Sequence, residues 1–202
     1  MIGLFLSGTG NTKHCIELLL HILDHSALAV PIEEEQAIKL ASEQETIILA
    51  YPTQYSNIPF MVREFIKENA EIWHGKKIFC LTTMGLFSGD GTGCAARLLK
   101  KYGARIIGGL QIKMPDSVCD NRLLKKSKEK NREIIKLADE RIIKTADQIK
   151  KGKFPQEGLG RLNHIAGLFG QRLWFYSKTH ESAMLALVAD YVRRFAQRII
   201  LR

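Results

Sequence analysis

The sequence predicts an α/β protein: a three-layer, doubly wound sheet of five parallel strands in the order 2-1-3-4-5, with a helical extension at its C-terminus. Three observations predict it. Five short apolar runs alternate with segments of helical periodicity up to Lys151. The first run, Met1-Ile2-Gly3-Leu4-Phe5-Leu6, ends in a turn rich in glycine and hydroxyls, Ser7-Gly8-Thr9-Gly10-Asn11-Thr12. The third and fourth runs also end in polar loops, and right-handed crossovers in that strand order bring all three loops to one crevice.

Each element has its own signal. Lys13 to Leu23 carries Ile16, Leu19, Leu20 and Leu23 at helical spacing. Ala27 to Ile32 alternates loosely as the second strand, closed by Pro31, and Gln36 to Ser42 is a short helix. Glu45 to Ala50 is a third strand, continuous and apolar as parallel strands covered on both faces tend to be. The loop from Tyr51 to Pro59 ends in proline where a helix begins, and that helix runs through Val62, Phe65 and Ile66 to about Ala70. Gly75-Lys76-Lys77 is a turn and Ile78 to Thr82 the fourth strand. The loop from Thr83 to Gly93 opens a helix from about Cys94 to Tyr102, stopped by Gly103. Arg105 to Ile112 is the fifth strand, with a bulge or a close backbone approach expected at Gly108-Gly109. Leu123 to Lys151 is a long amphipathic helix with Ile134, Leu137, Ala138, Ile142, Ala146 and Ile149 on one side. Residues 1–155 are thus expected as one domain, and 156–202 as a helical extension packed on it. In that extension Glu181 to Ile200 is a core-packing or self-associating helix, which would allow a homodimer.

Composition narrows the class. The 202 residues are 46% hydrophobic, as a soluble globular chain requires. Cys15, Cys80, Cys94 and Cys119 are scattered without a C-x-x-C, which argues for reduced thiols and against a disulfide framework, a zinc site or an iron–sulfur cluster. The apolar start lacks a charged n-region and is too short for a signal peptide, so a cytoplasmic protein is expected. The net charge is +9, with 4 basic against 10 acidic residues up to position 75 and 26 against 11 beyond it. The basic residues lie mostly on a helical pattern interleaved with Glu129, Glu133, Asp139, Glu140 and Asp147, without aromatics for base stacking. A solvated helix face explains that pattern better than nucleic-acid binding, and it offers a dock for an acidic protein partner.

The first turn is an anion cradle. Gly8 and Gly10 allow positive φ and close backbone approach, and the amides opening the next helix converge where its dipole favours negative charge. Ser7, Thr9 and Thr12 add hydroxyls and Asn11 an amide. The dinucleotide fingerprint fails because Lys13 stands at its third glycine, and neither the spacing nor the ending of a triphosphatase P-loop is present. A cysteine phosphatase would need a cysteine where Ser7 stands and an arginine near the loop's end, yet the first arginine is Arg63. The pattern [ST]-x-T-G-N-T directly after the first strand resembles the FMN phosphate loop of the flavodoxin family.

That resemblance implies that Ser7, Thr9, Gly10, Asn11 and Thr12 hold the FMN phosphate and that the loops after strands three and four clasp the flavin ring. The first ring loop would use Pro52, Thr53, Tyr55 and Asn57, and the second Thr83, Gly85, Phe87 and Asp90. Tyr55 would stack on the ring, its alternative being an exposed loop aromatic; Phe87 would face it from the other side or serve as core. Flavodoxins usually place a glycine in the first ring loop, whereas residues 51–59 have none and only Asn57 readily takes positive φ. The chain is also basic where flavodoxins are acidic. It is most similar to flavodoxin modules fused to a bacterial ferredoxin, which share a Y-P-T-x-Y-x-x-x-P loop and a basic helix after strand five. Such fusions continue into cysteine clusters that residues up to Arg202 lack, so either a separate ferredoxin is the partner or the chain is a truncated or diverged member. Electron transfer between redox partners such as acidic iron–sulfur proteins is therefore the leading expectation. An NAD(P)H-dependent flavin or quinone reductase of the same fold is the alternative.

Overall fold

The structure, a computed structural model, describes residues 1–54, 56–85, 88–115 and 126–160. Five parallel strands form one sheet in the order β2-β1-β3-β4-β5, as the sequence predicts. They are β1 (Ile2–Phe5), β2 (Ala29–Pro31), β3 (Thr46–Pro52), β4 (Lys77–Met84) and β5 (Arg105–Lys113), joined by α1 (Asn11–Leu23), α2 (Gln36–Ser42), α3 (Phe60–Glu68), α4 (Gly91–Lys101) and α5 (Lys128–Lys150). A short 3-10 turn, Ala70–Trp73, follows α3.

Strand alternation sorts the apolar residues into two layers. Ile2, Leu4, Ile47, Leu49, Ile78 and Cys80 join Ala37, Val62, Ile66, Ala95 and Leu99 of α2, α3 and α4. Phe5, Ile48, Ala50, Phe79 and Leu81 join Cys15, Ile16 and Leu19 of α1 and Ala138, Ile142 and Ala146 of α5. Both faces of β1, β3 and β4 are therefore covered, which is why those strands read as unbroken apolar runs. On the first face Trp73 is fully buried, donates its indole N–H to the Ile66 carbonyl at 2.8 Å and meets Phe65 edge-on at 6.0 Å between ring centroids. Trp73→Ala is expected to cost about 3–5 kcal/mol in urea unfolding, through the cavity and the lost hydrogen bond.

Several boundaries differ from the sequence expectation. The strands preceding the two ring loops run further, because Tyr51 pairs with Thr82 and Pro52 with Thr83 beyond the apolar runs. α4 begins at Gly91, three residues early, with Gly91, Thr92 and Gly93 all buried. The fifth strand does carry a register shift, opposite Ile78/Phe79, so that Phe79 faces Gly108. Leu137, assigned to the buried side of the long helix, is 58% exposed; Ile134, Ala138, Ile142, Thr145 and Ala146 form the buried stripe, and Leu137 lies at its margin. α1 and α5 are clasped by His14 Nε2 and Asp139 Oδ1 at 2.6 Å. Among the described residues no helix is long and apolar enough to cross a membrane. The helix expected over 181–200, and with it the dimer contact, lies outside the described residues.

Candidate functional site

The turn from Ser7 to Thr12 leads from β1 straight into α1, which starts at Asn11. Its N-cap is Gly10, at φ 87° and ψ −15° in the left-handed region, so the N-cap residue has no side chain to offer the helix. A Cβ placed on Gly8 or Gly10 would meet nothing within 4 Å, so the space in front of the turn is open. Ser7 Oγ accepts from the Lys13 amide at 3.2 Å, which holds the turn tightly against the first helical turn. This helix start faces open space and is bordered by hydroxyls, a seat whose geometry suits an anion.

That seat opens into a cleft of about 340 Å³ at the carboxyl ends of the strands. Of the residues anticipated from sequence, Ser7, Thr9, Asn11, Thr12, Pro52, Thr53, Thr83 and Gly85 line it. Gly10 shapes the turn from behind. Hydrogen bonds lace the walls together: Thr12 Oγ1 pairs with Thr83 Oγ1 at 2.9 Å, and the Thr83 carbonyl accepts from the Thr53 amide at 2.8 Å and its hydroxyl at 3.2 Å. Asn11 Nδ2 donates to the Pro115 carbonyl at 2.8 Å, tying the segment after β5 to the turn. The buried Thr12 hydroxyl therefore joins the start of α1 to the end of β4. Leu6, Gly8, Gln54, Met61, Met84, Met114 and Pro115 complete the lining. Of these, the three methionines supply adaptable apolar surface; they come from a helix start and two strand ends, where no polar motif marks them.

Asn57 and Asp90 do not line the cleft. Asn57 Oδ1 accepts from the Ile58 amide at 2.8 Å and from Arg63 Nη2 at 3.2 Å. The turn Gln54–Asn57 is closed by two backbone bonds, of 3.0 and 2.8 Å, and its positive φ (61°) falls at Ser56 and not at Asn57. Positive φ at the second central position is one of the standard β-turn geometries, taken here by a serine. Asp90, with its side chain only 4% exposed, is gripped by both guanidinium arms of Arg97 and accepts from the Cys94 thiol at 3.2 Å. Its amide donates to the Ser56 carbonyl at 3.1 Å, so Asp90 binds the two ring loops together from beneath. Gly89 sits at φ 53°, and a Cβ there would lie 2.3 Å from Ser56 Cβ, so only glycine allows this approach. Tyr51, fully buried, donates to the Gly91 carbonyl at 2.9 Å, and burial pushes its phenol well above the usual range. Tyr55 and Phe87, the expected ring-stacking aromatics, lie outside the described residues.

Burial raises the pKa of each described thiol. Burial, with a smaller push from Asp139, raises Cys15 to about 12; burial alone raises Cys80 to about 12. Burial and then the bond to Asp90 raise Cys94 to about 11. All three stay protonated at neutral pH. Iodoacetamide at pH 8 should leave these three unlabelled in the folded protein and label them in urea, read by peptide mass spectrometry.

A larger cavity of about 520 Å³ lies at the opposite, amino end of the strands; its lining is chiefly apolar and it has no helix N-terminus, so the anion seat belongs to the smaller cleft. No family model and no curated protein matches the chain. Among solved structures it is similar to a flavodoxin from the domain Archaea, at 17% identity and TM-score 0.53, covering 74% of this chain and 97% of that one. It is likewise similar to oxidised flavodoxin 2 from Bacillus cereus, at 20% identity and TM-score 0.53 over 75% and 97% of the two chains. A flavodoxin of Fusobacterium nucleatum bound to flavin mononucleotide matches at 19% identity and TM-score 0.51 over 75% and 98%. The chain therefore has the flavodoxin-like fold.

Proposed function

We propose that the chain binds FMN in the cleft at the carboxyl ends of β1, β3 and β4 and passes electrons between redox proteins. The observation that carries this reading is the start of α1 behind its glycine N-cap, Gly10, with open space before it and hydroxyls at its sides. It suits a phosphate monoester, and a cleft of about 340 Å³ falls within the usual range for a small ligand, about 300–1,000 Å³. The residues present fit the group: polar at the seat, mixed hydroxyl and methionine along the walls. FMN, when bound, supplies reversible one- and two-electron redox chemistry.

The chain's own residues seat, orient and shield. Ser7, Thr9 and the amides up to Thr12 hold the phosphate. Thr53, Thr83 and Gly85 border the ring, and Met61, Met84 and Met114 keep water from it. Tyr55 and Phe87 belong to the proposal as stacking partners. A separate acidic ferredoxin-type protein is the proposed partner in a cytoplasmic setting, drawn by the positive charge that dominates beyond position 75.

One observation favours the reductase reading. The 54–57 turn has no glycine, and the Ser56 carbonyl is engaged by the Asp90 amide, so this turn is held in one conformation where one-electron carriers of the flavodoxin type usually place a more pliant glycine. Reductive titration decides: two separated one-electron potentials are expected of the carrier. A single two-electron step, with rapid NADH or NADPH oxidation on adding a quinone, would replace it with the reductase.

A further inference from the structure

The amino-end cavity combines apolar walls with a charged rim. Its inner wall is Ile48 and Phe79, each only 2% exposed, and Ile107, Ile149 and Phe154 enclose it from β5, α5 and the segment beyond. At its mouth stand three cations: Lys77 opening β4, Arg105 opening β5 and Lys150 closing α5.

Their arrangement is the informative part. Lys77 and Arg105 are in-register neighbours on adjacent strands, and both side chains border the same cavity. Strands in a sheet lie about 4.8 Å apart, and like charges set side by side at that spacing repel. Glu45 answers Lys77 at 2.7 Å; among the described residues no carboxylate pairs with Arg105 or Lys150. A surplus of positive charge is thus held at the rim of an apolar chamber. The complementary molecule has one negative head and a hydrocarbon body.

We infer that this cavity binds a single-chain amphiphilic carboxylate, of the fatty-acid type, with its tail against Ile48, Phe79 and Ile107 and its carboxylate between Arg105, Lys150 and Lys77. A charge-assisted hydrogen bond from Arg105 orients the head, and burial of the tail supplies affinity. The site lies at the far end of the sheet from the flavin cleft, so the two ligands bind independently.

Calorimetry on the full chain tests this with decanoate below its micellar concentration, alongside decyltrimethylammonium (the same tail with a cationic head) and acetate (the head without the tail). Decanoate is expected to saturate, acetate to give no binding, and the cationic amphiphile to bind at least about tenfold more weakly. Arg105→Gln, at an exposed position, should weaken decanoate about tenfold without changing the thermal melt, and Ile107→Trp should abolish binding by filling the chamber. Saturating FMN should leave decanoate binding unchanged. Absence of saturable binding, as would follow if another part of the chain or a second copy covers the cavity, overturns the inference. So does equal affinity for both amphiphiles, indifference to Arg105→Gln, or displacement of decanoate by FMN.

Discussion

Replacing Gly10 by valine is expected to weaken FMN binding about 100-fold while leaving the sheet folded. The arithmetic rests on the backbone. Gly10 stands at φ 87°, where an L-residue pays about 1–2 kcal/mol and a β-branched one more. The chain relieves that strain by turning the first residues of α1 away from the seat. Losing one charge-assisted hydrogen bond to the phosphate adds about 1.5–3 kcal/mol, and about 3 kcal/mol in total corresponds to the stated factor. Gly8→Ala is the companion variant. Gly8 needs no positive φ and its added Cβ meets no protein atom within 4 Å, so stability should hold while affinity falls. Fluorescence quenching of FMN, set beside urea unfolding of each variant, separates the two effects.

The second large effect is on the clasp beneath the ring loops. Arg97→Ala is expected to destabilise the fold by about 2–3 kcal/mol, because it strips both guanidinium arms from a carboxylate that is 4% exposed. The estimate sits below the usual range for a buried pair because Arg97 itself is 46% exposed and part of its interaction is screened. Arg97→Lys should recover less than half of the loss, since an ammonium keeps the charge but cannot fork across both carboxylate oxygens. Because the Asp90 amide also donates to the Ser56 carbonyl, the alanine variant should loosen both ring loops and lower FMN affinity as well. Urea midpoints and FMN titrations on the three proteins check this.

The sequence made the frame legible because its signals are local and repeated. Five apolar runs, the Ser7–Thr12 turn, Pro59 before α3 and Gly103 after α4 each mark an element by their own chemistry. The paired glycines 108 and 109 marked the shift in β5 in the same way. What was not legible depends on partners far along the chain. β3 and β4 extend past their apolar runs because each supplies the other's ladder, which neither run shows alone. Gly91 to Gly93 read as loop on propensity, yet burial makes them the first turn of α4. Asp90 has the polarity of a ligand contact, and only the fold reveals that Arg97, two helical turns on, occupies it. Met61 reaches the cleft from the start of α3, and Met114 and Pro115 from the segment after β5, with no shared motif to betray them.

The most direct test compares FMN with riboflavin, which differ by the phosphate alone. If the turn behind β1 is the seat, FMN binds at least about 100-fold more tightly than riboflavin, and the difference disappears in Gly10→Val. Equal affinity for the two flavins, or no binding of FMN to the purified chain, would contradict the account.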